Sequence, residues 1–247
     1  MRIAIVCGSN RDRPAEFFYT LASHLRKRGH EVWLVRWNVR IGESMDVPEG
    51  IFEAVFPDMR PNRFRSIRWL YGLLSSKRFD CVLATHVGIN AAAVAGLAAG
   101  ITVRCGWFRT RSTALLYDMG GPSLKSVFLL ARRRAIYGAL THIVAVSEAC
   151  REDLMSFWKV PSKKIVVLQN SIRKAPGELQ NLQRDSAKIV CVGRLVAVKG
   201  QEFLIQALPA VLKRVSGLQC HLIGDGPERS RLEKLTAELG LAAILFT

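Results

Sequence analysis

Short apolar runs alternate with longer amphipathic segments along the chain, and this alternation predicts an α/β protein. The first apolar run, Arg2–Cys7, predicts a buried strand. Ala15–Arg28 then repeats apolar residues at the spacing of one helix face. Gly29 ends this helix, and the apolar run Glu31–Trp37 predicts the second strand. A chain that begins strand, helix, strand favours a parallel sheet.

The pattern continues after residues 40–78, which are rich in proline and arginine and are predicted to be irregular. The further elements predicted before residue 172 are strand Cys81–Thr85, helix Asn90–Ala99, strand Ile101–Cys105, helix Leu124–Tyr137, strand His142–Val146, helix Glu148–Trp158 and strand Ile165–Leu168. Residues 173–186 are polar and predict a linker.

A strand, helix, strand, helix pattern then starts again at residue 187. Its predicted elements are strand 188–193, helix 201–214, strand 218–223 and helix 228–239, followed by the start of a third strand at Ile244–Thr247. The predicted fold class is therefore α/β, with two Rossmann-like doubly wound parallel-sheet domains at residues 1–172 and 187–247. The second domain is predicted to be incomplete.

The composition of the chain limits the classes of possible binding partner but does not select one of them. Lys and Arg number 36 against 20 Asp and Glu, a formal net charge of +16, so phosphate-bearing ligands, an anionic membrane surface and nucleic acid are all candidates. The six cysteines form no CxxC pair, which predicts buried thiols in a reducing, cytoplasmic environment and no metal site. The uncharged stretch Cys81–Val103 contains His86, Asn90 and several glycines, so strand, helix and strand explain it better than a membrane span.

The strongest chemical signal is the loop GRLVAVKG at residues 193–200, between a predicted strand and a predicted helix. Gly193 allows a ligand to approach the backbone, Arg194 can bind two phosphate oxygens, and Lys199 adds positive charge. The N–H groups at a helix N-terminus also favour an anion. The loop therefore predicts phosphate binding, with a solvated basic loop as the alternative.

The next predicted strand ends in Gly224-Asp225-Gly226-Pro227, which by itself is a weak signal because glycine-rich turns are common. No Walker loop and no GxGxxG motif accompany it. ATP hydrolysis and nicotinamide chemistry therefore lose their main support from the sequence.

The runs VGRLVAVKGQEFLIQAL and LIGDGPERSRLEKLTAELGL resemble the nucleotide-sugar-binding domain of family 4 glycosyltransferases, which have the GT-B fold. The segments FDCVLATH, HIVAVSEACREDL and KIVVLQNSI in the first half agree with this resemblance. It implies transfer of a sugar from a nucleotide-diphosphate sugar to a glycan or lipid-linked acceptor, as in the biosynthesis of cell-envelope polysaccharides. It further implies retention of anomeric configuration, with no metal and no cofactor besides the donor substrate.

The resemblance also implies roles for residues of the second domain. Arg194 and Lys199 would neutralise the donor diphosphate as the leaving group develops charge. The remaining donor-binding candidates in this domain are Gly193, Gly224 and Asp225.

In the first domain, the resemblance implies that Gly8 and Ser9 approach the sugar or a phosphate. His86 would face the cleft as a catalytic candidate, and a hydrogen-bonded loop histidine explains it equally well. Many family members carry a histidine after the strand that corresponds to residues 101–105. This chain departs from that pattern, and Arg109 is the second catalytic candidate.

A glutamate pair that contacts the donor in the family would lie beyond Thr247, so we expect a fragment with little or no transferase activity. Measurable sugar transfer by this chain would contradict that expectation. The alternative is a non-catalytic basic module that associates with an anionic membrane, at its cytoplasmic face, or with nucleic acid. Helix Leu124–Tyr137 and the cluster Arg60–Arg68 could rest on such a membrane, or could be a core helix and solvated charge. Nucleic acid is disfavoured because only the net charge supports it.

Overall fold

The computed structural model describes residues 1–8, 13–37, 46–112, 124–170, 187–241 and 244–247, with only the backbone described at 13–15 and 124–126. The chain divides into two compact units, Met1–Ile172 and Arg173–Thr247. Each unit is built on its own parallel sheet.

Unit 1 contains a seven-stranded sheet in the order β3-β2-β1-β4-β5-β6-β7, and every neighbouring pair is parallel. Its strands are β1 (Arg2–Gly8), β2 (Glu31–Trp37), β3 (Phe52–Val55), β4 (Cys81–Thr85), β5 (Val103–Phe108), β6 (His142–Ala145) and β7 (Ile165–Val167). The chain order reverses between β1 and β4. In open α/β sheets, ligands collect at the carboxyl ends of the strands at such a switch point.

Five helices of unit 1 lie within the described residues. They are α1 (Arg13–Lys27), α2 (Phe64–Lys77), α3 (Gly88–Ala98), α4 (Leu124–Gly138) and α5 (Glu148–Ser156). The run at residues 3–7 of strand β1 is apolar because both of its faces are buried. Ala4 and Val6 pack in one core, whereas Ile3, Ile5 and Cys7 pack in the other. A strand that is buried on both faces needs apolar residues at every position.

The interpretation of residues 40–78 as irregular was wrong, because β3 and α2 lie within this stretch. Strand β3 pairs with β2, and the ring of Phe52 stacks on Trp33 at 4.9 Å between centroids. Leu70 and Leu74, one helical turn apart, are fully buried and anchor α2. Arg65 and Arg68 lie on the exposed face of this helix, and Arg60 and Arg63 are exposed in the segment before it.

Unit 2 contains a three-stranded parallel sheet in the order β10-β9-β8. Its elements are β8 (Lys188–Val192), α6 (Gln201–Leu212), β9 (Gln219–Ile223), α7 (Arg229–Glu238) and β10 (Ile244–Phe246). Helix α6 contributes the buried residues Ile205 and Leu208 to the core, and α7 contributes Leu232. The predicted α/β fold with two parallel-sheet units is confirmed.

None of the helices in the described part of the chain is both long enough and apolar enough to cross a membrane. The stretch Cys81–Val103 forms β4, α3 and the beginning of β5, as its glycines predicted. Helix α3 ends at Ala98, and Gly100, with φ +68°, lies in the turn before β5.

Candidate functional site

The basic loop of unit 2 lies where the sequence predicted it, between the end of β8 and the start of α6. The side chains of Arg194 and Lys199 are both exposed at this edge of the sheet. Lys199 ends a single turn of 3-10 helix, Ala197–Lys199, and Gly200 caps the N-terminus of α6 with φ +68°. Two cations thus flank a helix N-terminus, where unpaired N–H groups and the helix dipole favour an anion.

A buried amide fixes this loop to the helix. Gln201, the first residue of α6, is only 4% exposed, and its Nε2 donates a hydrogen bond of 2.9 Å to the Arg194 carbonyl oxygen. The backbone that carries Arg194 is therefore held against α6. Sequence reasoning missed Gln201, although a polar residue directly after a capping glycine was a usable signal.

Backbone hydrogen bonds join the basic loop to the loop that follows β9. Gly193 N donates to Ile223 O and Leu195 N donates to Asp225 O, each at 2.9 Å. Leu195 O in turn accepts a 3.1 Å bond from Glu228 N. The two loops therefore form one continuous surface, and the exposed carboxylate of Asp225 lies at its edge.

Two glycines permit this close approach. A Cβ atom on Gly224, which has φ +145°, would lie 2.1 Å from the Gly193 carbonyl oxygen. A Cβ atom on Gly226 would lie 2.2 Å from the Leu195 carbonyl oxygen. No side chain fits in either position, so the glycines are required by the packing of the loops. A Cβ on Gly193 would meet only the Gln201 amide at 3.8 Å, so packing does not require glycine there.

The carboxylates near the basic loop are engaged by a third cation. Arg231 of α7 donates to Glu202 at 2.7 Å and to Glu228 at 2.6 Å. The bond from Arg231 lowers the pKa of Glu202, and the two carboxylates raise the pKa of Arg231. Among the residues that the structure describes, neither Arg194 nor Lys199 has an ion-pair partner. Their charge is therefore available to a ligand.

In unit 1, two predicted site residues lie at the switch point of the sheet. Gly8 ends β1, where a Cβ atom would make ordinary contact with the Trp37 ring at 3.8 Å. His86 follows β4 directly and has φ +50°, a left-handed conformation that is uncommon for a residue with a side chain. Its ring Nδ1 lies 3.0 Å from the Thr85 hydroxyl oxygen. Ser9, another predicted site residue of unit 1, lies outside the residues that the structure describes.

A cavity of about 350 Å³ opens at the carboxyl ends of β4 and β5. His86 and Arg109, the two predicted catalytic candidates, both line it. Arg111 and Arg133 also line it, and sequence reasoning did not select either of them. The one-turn spacing of Arg133 and Tyr137 on α4 was a signal that both face the same side. In the described part of the chain, no group of three or more metal-ligating side chains comes together.

The strand order of unit 1 and the parallel sheet of unit 2, with a basic loop at a helix N-terminus, define a two-unit Rossmann-like protein of the GT-B type. Residues 15–175 match Glycosyltransferase Family 4, and residues 178–247 match Glycosyl transferases group 1. The chain belongs to Glycosyltransferase Family 4, as its motifs indicated.

Relatives support this assignment at moderate identity. An uncharacterized glycosyltransferase of Methanocaldococcus jannaschii is 30% identical over 112 residues, which cover 40% of this chain and 28% of that protein. A GDP-mannose-dependent alpha-(1-6)-phosphatidylinositol monomannoside mannosyltransferase of Mycolicibacterium smegmatis is 39% identical over 64 residues, which cover 26% of this chain and 17% of that protein.

Solved structures share the fold. The Anabaena protein HepE, solved in complex with UDP and glucose, matches all of this chain with a TM-score of 0.68 and 17% identity. The chain spans 68% of the length of that protein. At this identity the similarity concerns the fold alone.

Proposed function

We propose that this chain takes part in transferring a sugar from a nucleotide-diphosphate sugar to a glycan or lipid-linked acceptor. The observation that carries this proposal is the basic loop of unit 2, where Arg194 and Lys199 stand exposed at the N-terminus of α6. Membership of the family and the UDP and GDP-mannose in the names of similar proteins support a nucleotide donor. The roles of individual residues rest on the resemblance to the family and belong to the same proposal.

Arg194 and Lys199 bind the diphosphate in this proposal. As the bond between sugar and phosphate breaks, negative charge grows on the departing nucleotide, and two cations that are already in place stabilise it. Such cations supply the charge that a metal ion would otherwise provide, so we propose a metal-independent reaction. Gly193 lets the diphosphate approach the backbone, and Gly224 supports this site by letting the two loops pack together. Asp225 accepts hydrogen bonds from sugar or ribose hydroxyls.

The residues of unit 1 act on the acceptor side of the reaction in this proposal. Gly8 and Ser9 approach the sugar or a phosphate, and His86 and Arg109 are the catalytic candidates that contact the reacting groups. The left-handed backbone of His86 supports a functional role, because strained conformations concentrate at active sites. Retention of anomeric configuration belongs to the same proposal.

We expect the double change Arg194→Ala with Lys199→Ala to weaken binding of UDP or GDP by roughly 100-fold or more. Each lost charge-assisted contact accounts for about 1.5–3 kcal/mol. Isothermal titration calorimetry with both nucleotides on the 247-residue chain measures this effect.

The matched control is Lys213→Ala with Arg214→Ala, which removes the same charge from exposed positions beyond the C-terminus of α6. We expect this control to bind nucleotide within about twofold of the parent chain, since distant exposed charges are screened by salt. A parent chain that binds neither nucleotide would contradict the proposal. So would a loop variant that binds as well as the control.

One observation favours the alternative function, a basic module on an anionic membrane. Val127 and Phe128 on α4 are 60% and 70% exposed, and Arg132 and Arg134 follow within two turns. Exposed apolar residues next to arginines suit a helix that lies on an anionic bilayer. In this alternative the protein is cytoplasmic and peripheral to the membrane. In the transferase proposal, the same membrane contact would present unit 1 to a lipid-linked acceptor.

We expect Val127→Ser with Phe128→Ser to weaken binding to phosphatidylglycerol vesicles by roughly tenfold or more, because burying a large apolar side chain is favourable by about 1.5–3 kcal/mol. Cosedimentation with these vesicles and with phosphatidylcholine vesicles measures the effect. The control is Phe203→Ser, at a residue of unit 2 that is 75% exposed. Equal binding to phosphatidylglycerol and phosphatidylcholine vesicles would contradict a face that recognises an anionic membrane. An equal loss of binding in the Phe203→Ser control would contradict a specific role of α4. Tighter binding to DNA than to vesicles would favour nucleic acid as the partner.

A further inference from the structure

The cavity of unit 1 is lined by basic and aromatic side chains. Arg109 follows the end of β5, Arg111 lies two residues further along this loop, and Arg133 projects from α4. Tyr137 and Trp158 form an aromatic wall, with their rings 5.0 Å apart between centroids. The cavity is thus positive and aromatic, and its volume of about 350 Å³ suits a small polar group.

No Asp or Glu residue belongs to the lining of this cavity in the described part of the chain. Arg111 and Arg133 have no carboxylate within ion-pair distance among the described residues. The carboxylate of Asp153, on α5, is 8% exposed and is engaged by Ser112, whose backbone N–H donates to it at 2.9 Å and whose hydroxyl also donates to it. Asp153 therefore fixes the end of the arginine loop to α5.

Guanidinium groups gathered in one cavity repel each other, and an anion relieves that repulsion. Their planar forks match phosphate oxygens well, since each can donate two parallel hydrogen bonds. A second depression, lined by Trp37, Met59 and Arg60, shares Asn62 and Val87 with the cavity. Met59 and Val87 are about half exposed, so apolar surface continues directly from the basic cavity.

We propose that this cavity binds a phosphate group carried by the acceptor, with Arg111 and Arg133 as the phosphate ligands. The adjoining apolar surface then contacts the part of the acceptor next to that phosphate. This inference deepens the proposed sugar transfer and rests on it for the acceptor role of the bound molecule. Phosphate binding itself is tested independently of transfer. The phosphate belongs either to a lipid headgroup or to a water-soluble phosphate ester, and the test separates these two sources.

Tryptophan fluorescence of the 247-residue chain provides the readout. All five tryptophans lie in unit 1, and Trp158 lines the cavity, so the signal reports on unit 1. The probes are inorganic phosphate, inorganic pyrophosphate, glycerol 1-phosphate and monomeric dihexanoyl phosphatidylglycerol, with dihexanoyl phosphatidylcholine as the zwitterionic comparison. We expect a saturable change with at least one of the anionic probes. A response to phosphatidylglycerol alone assigns a lipid, and a response to the small phosphates as well assigns the phosphate ester itself.

We expect Arg111→Ala with Arg133→Ala to weaken this binding by about 100-fold, because two charge-assisted contacts are lost. The matched control is Arg65→Ala with Arg68→Ala, which removes the same charge from exposed positions of α2 outside the cavity lining. If the double variant does not fold, the single change Arg111→Gln is used instead, because Arg111 is exposed. We expect this change to weaken phosphate binding by about tenfold.

Three results would overturn the inference: no saturable response to any anionic probe, a response unchanged by the arginine substitutions, or an equal loss in the α2 control. Competition between UDP and pyrophosphate for the fluorescence response would assign the cavity to the donor and overturn the acceptor role. Calorimetric UDP binding at Arg194 and Lys199 is a separate readout. Its failure would contradict the proposed function and leave the phosphate site of unit 1 standing.

Discussion

Replacing Gly224 with alanine is expected to disrupt unit 2. The new Cβ atom would lie 2.1 Å from the Gly193 carbonyl oxygen, and the φ of +145° disfavours any L side chain. Backbone atoms cannot move aside as a flexible side chain would, so the loops that carry Arg194 and Asp225 must separate. We expect a loss of roughly 3–5 kcal/mol, which is comparable with the whole stability of a unit this small.

Hydrogen exchange of the β8 and β9 amides, with limited proteolysis of unit 2, measures this effect. The control is Gly217→Ala, which also has a positive φ, +72°, but has no atom within 4 Å of the added Cβ. We expect the control to cost only about 1–2 kcal/mol, from backbone strain alone. Equal protection in the two variants would show that the contact with Gly193 does not hold the loops together.

Replacing Phe18 with alanine is expected to destabilise unit 1 by about 3–5 kcal/mol. The ring of Phe18 is fully buried on α1 and makes edge-to-face contacts with Phe17 at 5.1 Å and with Trp107 at 5.5 Å between centroids. Its removal leaves a cavity beneath β5, the strand that ends at Phe108, directly before Arg109. Urea unfolding followed by tryptophan fluorescence measures the loss.

The matched control is Phe64→Ala, in the same unit, at a side chain that is 81% exposed. Its free energy of unfolding should change by no more than about 0.5 kcal/mol, because the ring makes little buried contact in the native state. A similar loss in both variants would mean that burial of Phe18 in the aromatic cluster is not what stabilises this core.

Hydrophobic periodicity predicted most helices and strands of the protein within a few residues. The runs Cys81–Thr85 and Glu31–Trp37 were predicted with the bounds that the structure has, because strands buried on both faces read as mostly apolar runs. The helix predicted from Glu148 begins at that residue in the structure, and the Ser147 hydroxyl before it accepts a bond from the Cys150 N–H. Signals of this kind are local and are therefore visible in the sequence.

Strand β3 and helix α2 were missed because their stability depends on distant partners. The four residues of β3 are largely exposed and form a strand only through pairing with β2. Helix α2 carries the exposed residues Arg65 and Arg68, and its apolar face is recognisable only once Leu70 and Leu74 are seen in the core of unit 1. Neither element has the caps or the continuous apolar run that would mark it in isolation.

The same distinction between local and long-range features applies to the candidate sites. The sequence by itself determined the α/β class, the two parallel-sheet units and the basic loop with Arg194 and Lys199, because each depends on neighbours along the chain. The tertiary structure alone decided that Gly224 must be glycine and that Gln201 fixes the loop. It also decided that Arg111 and Arg133 share a cavity with His86. Those facts depend on the approach of segments far apart in sequence, which packing determines and periodicity does not encode.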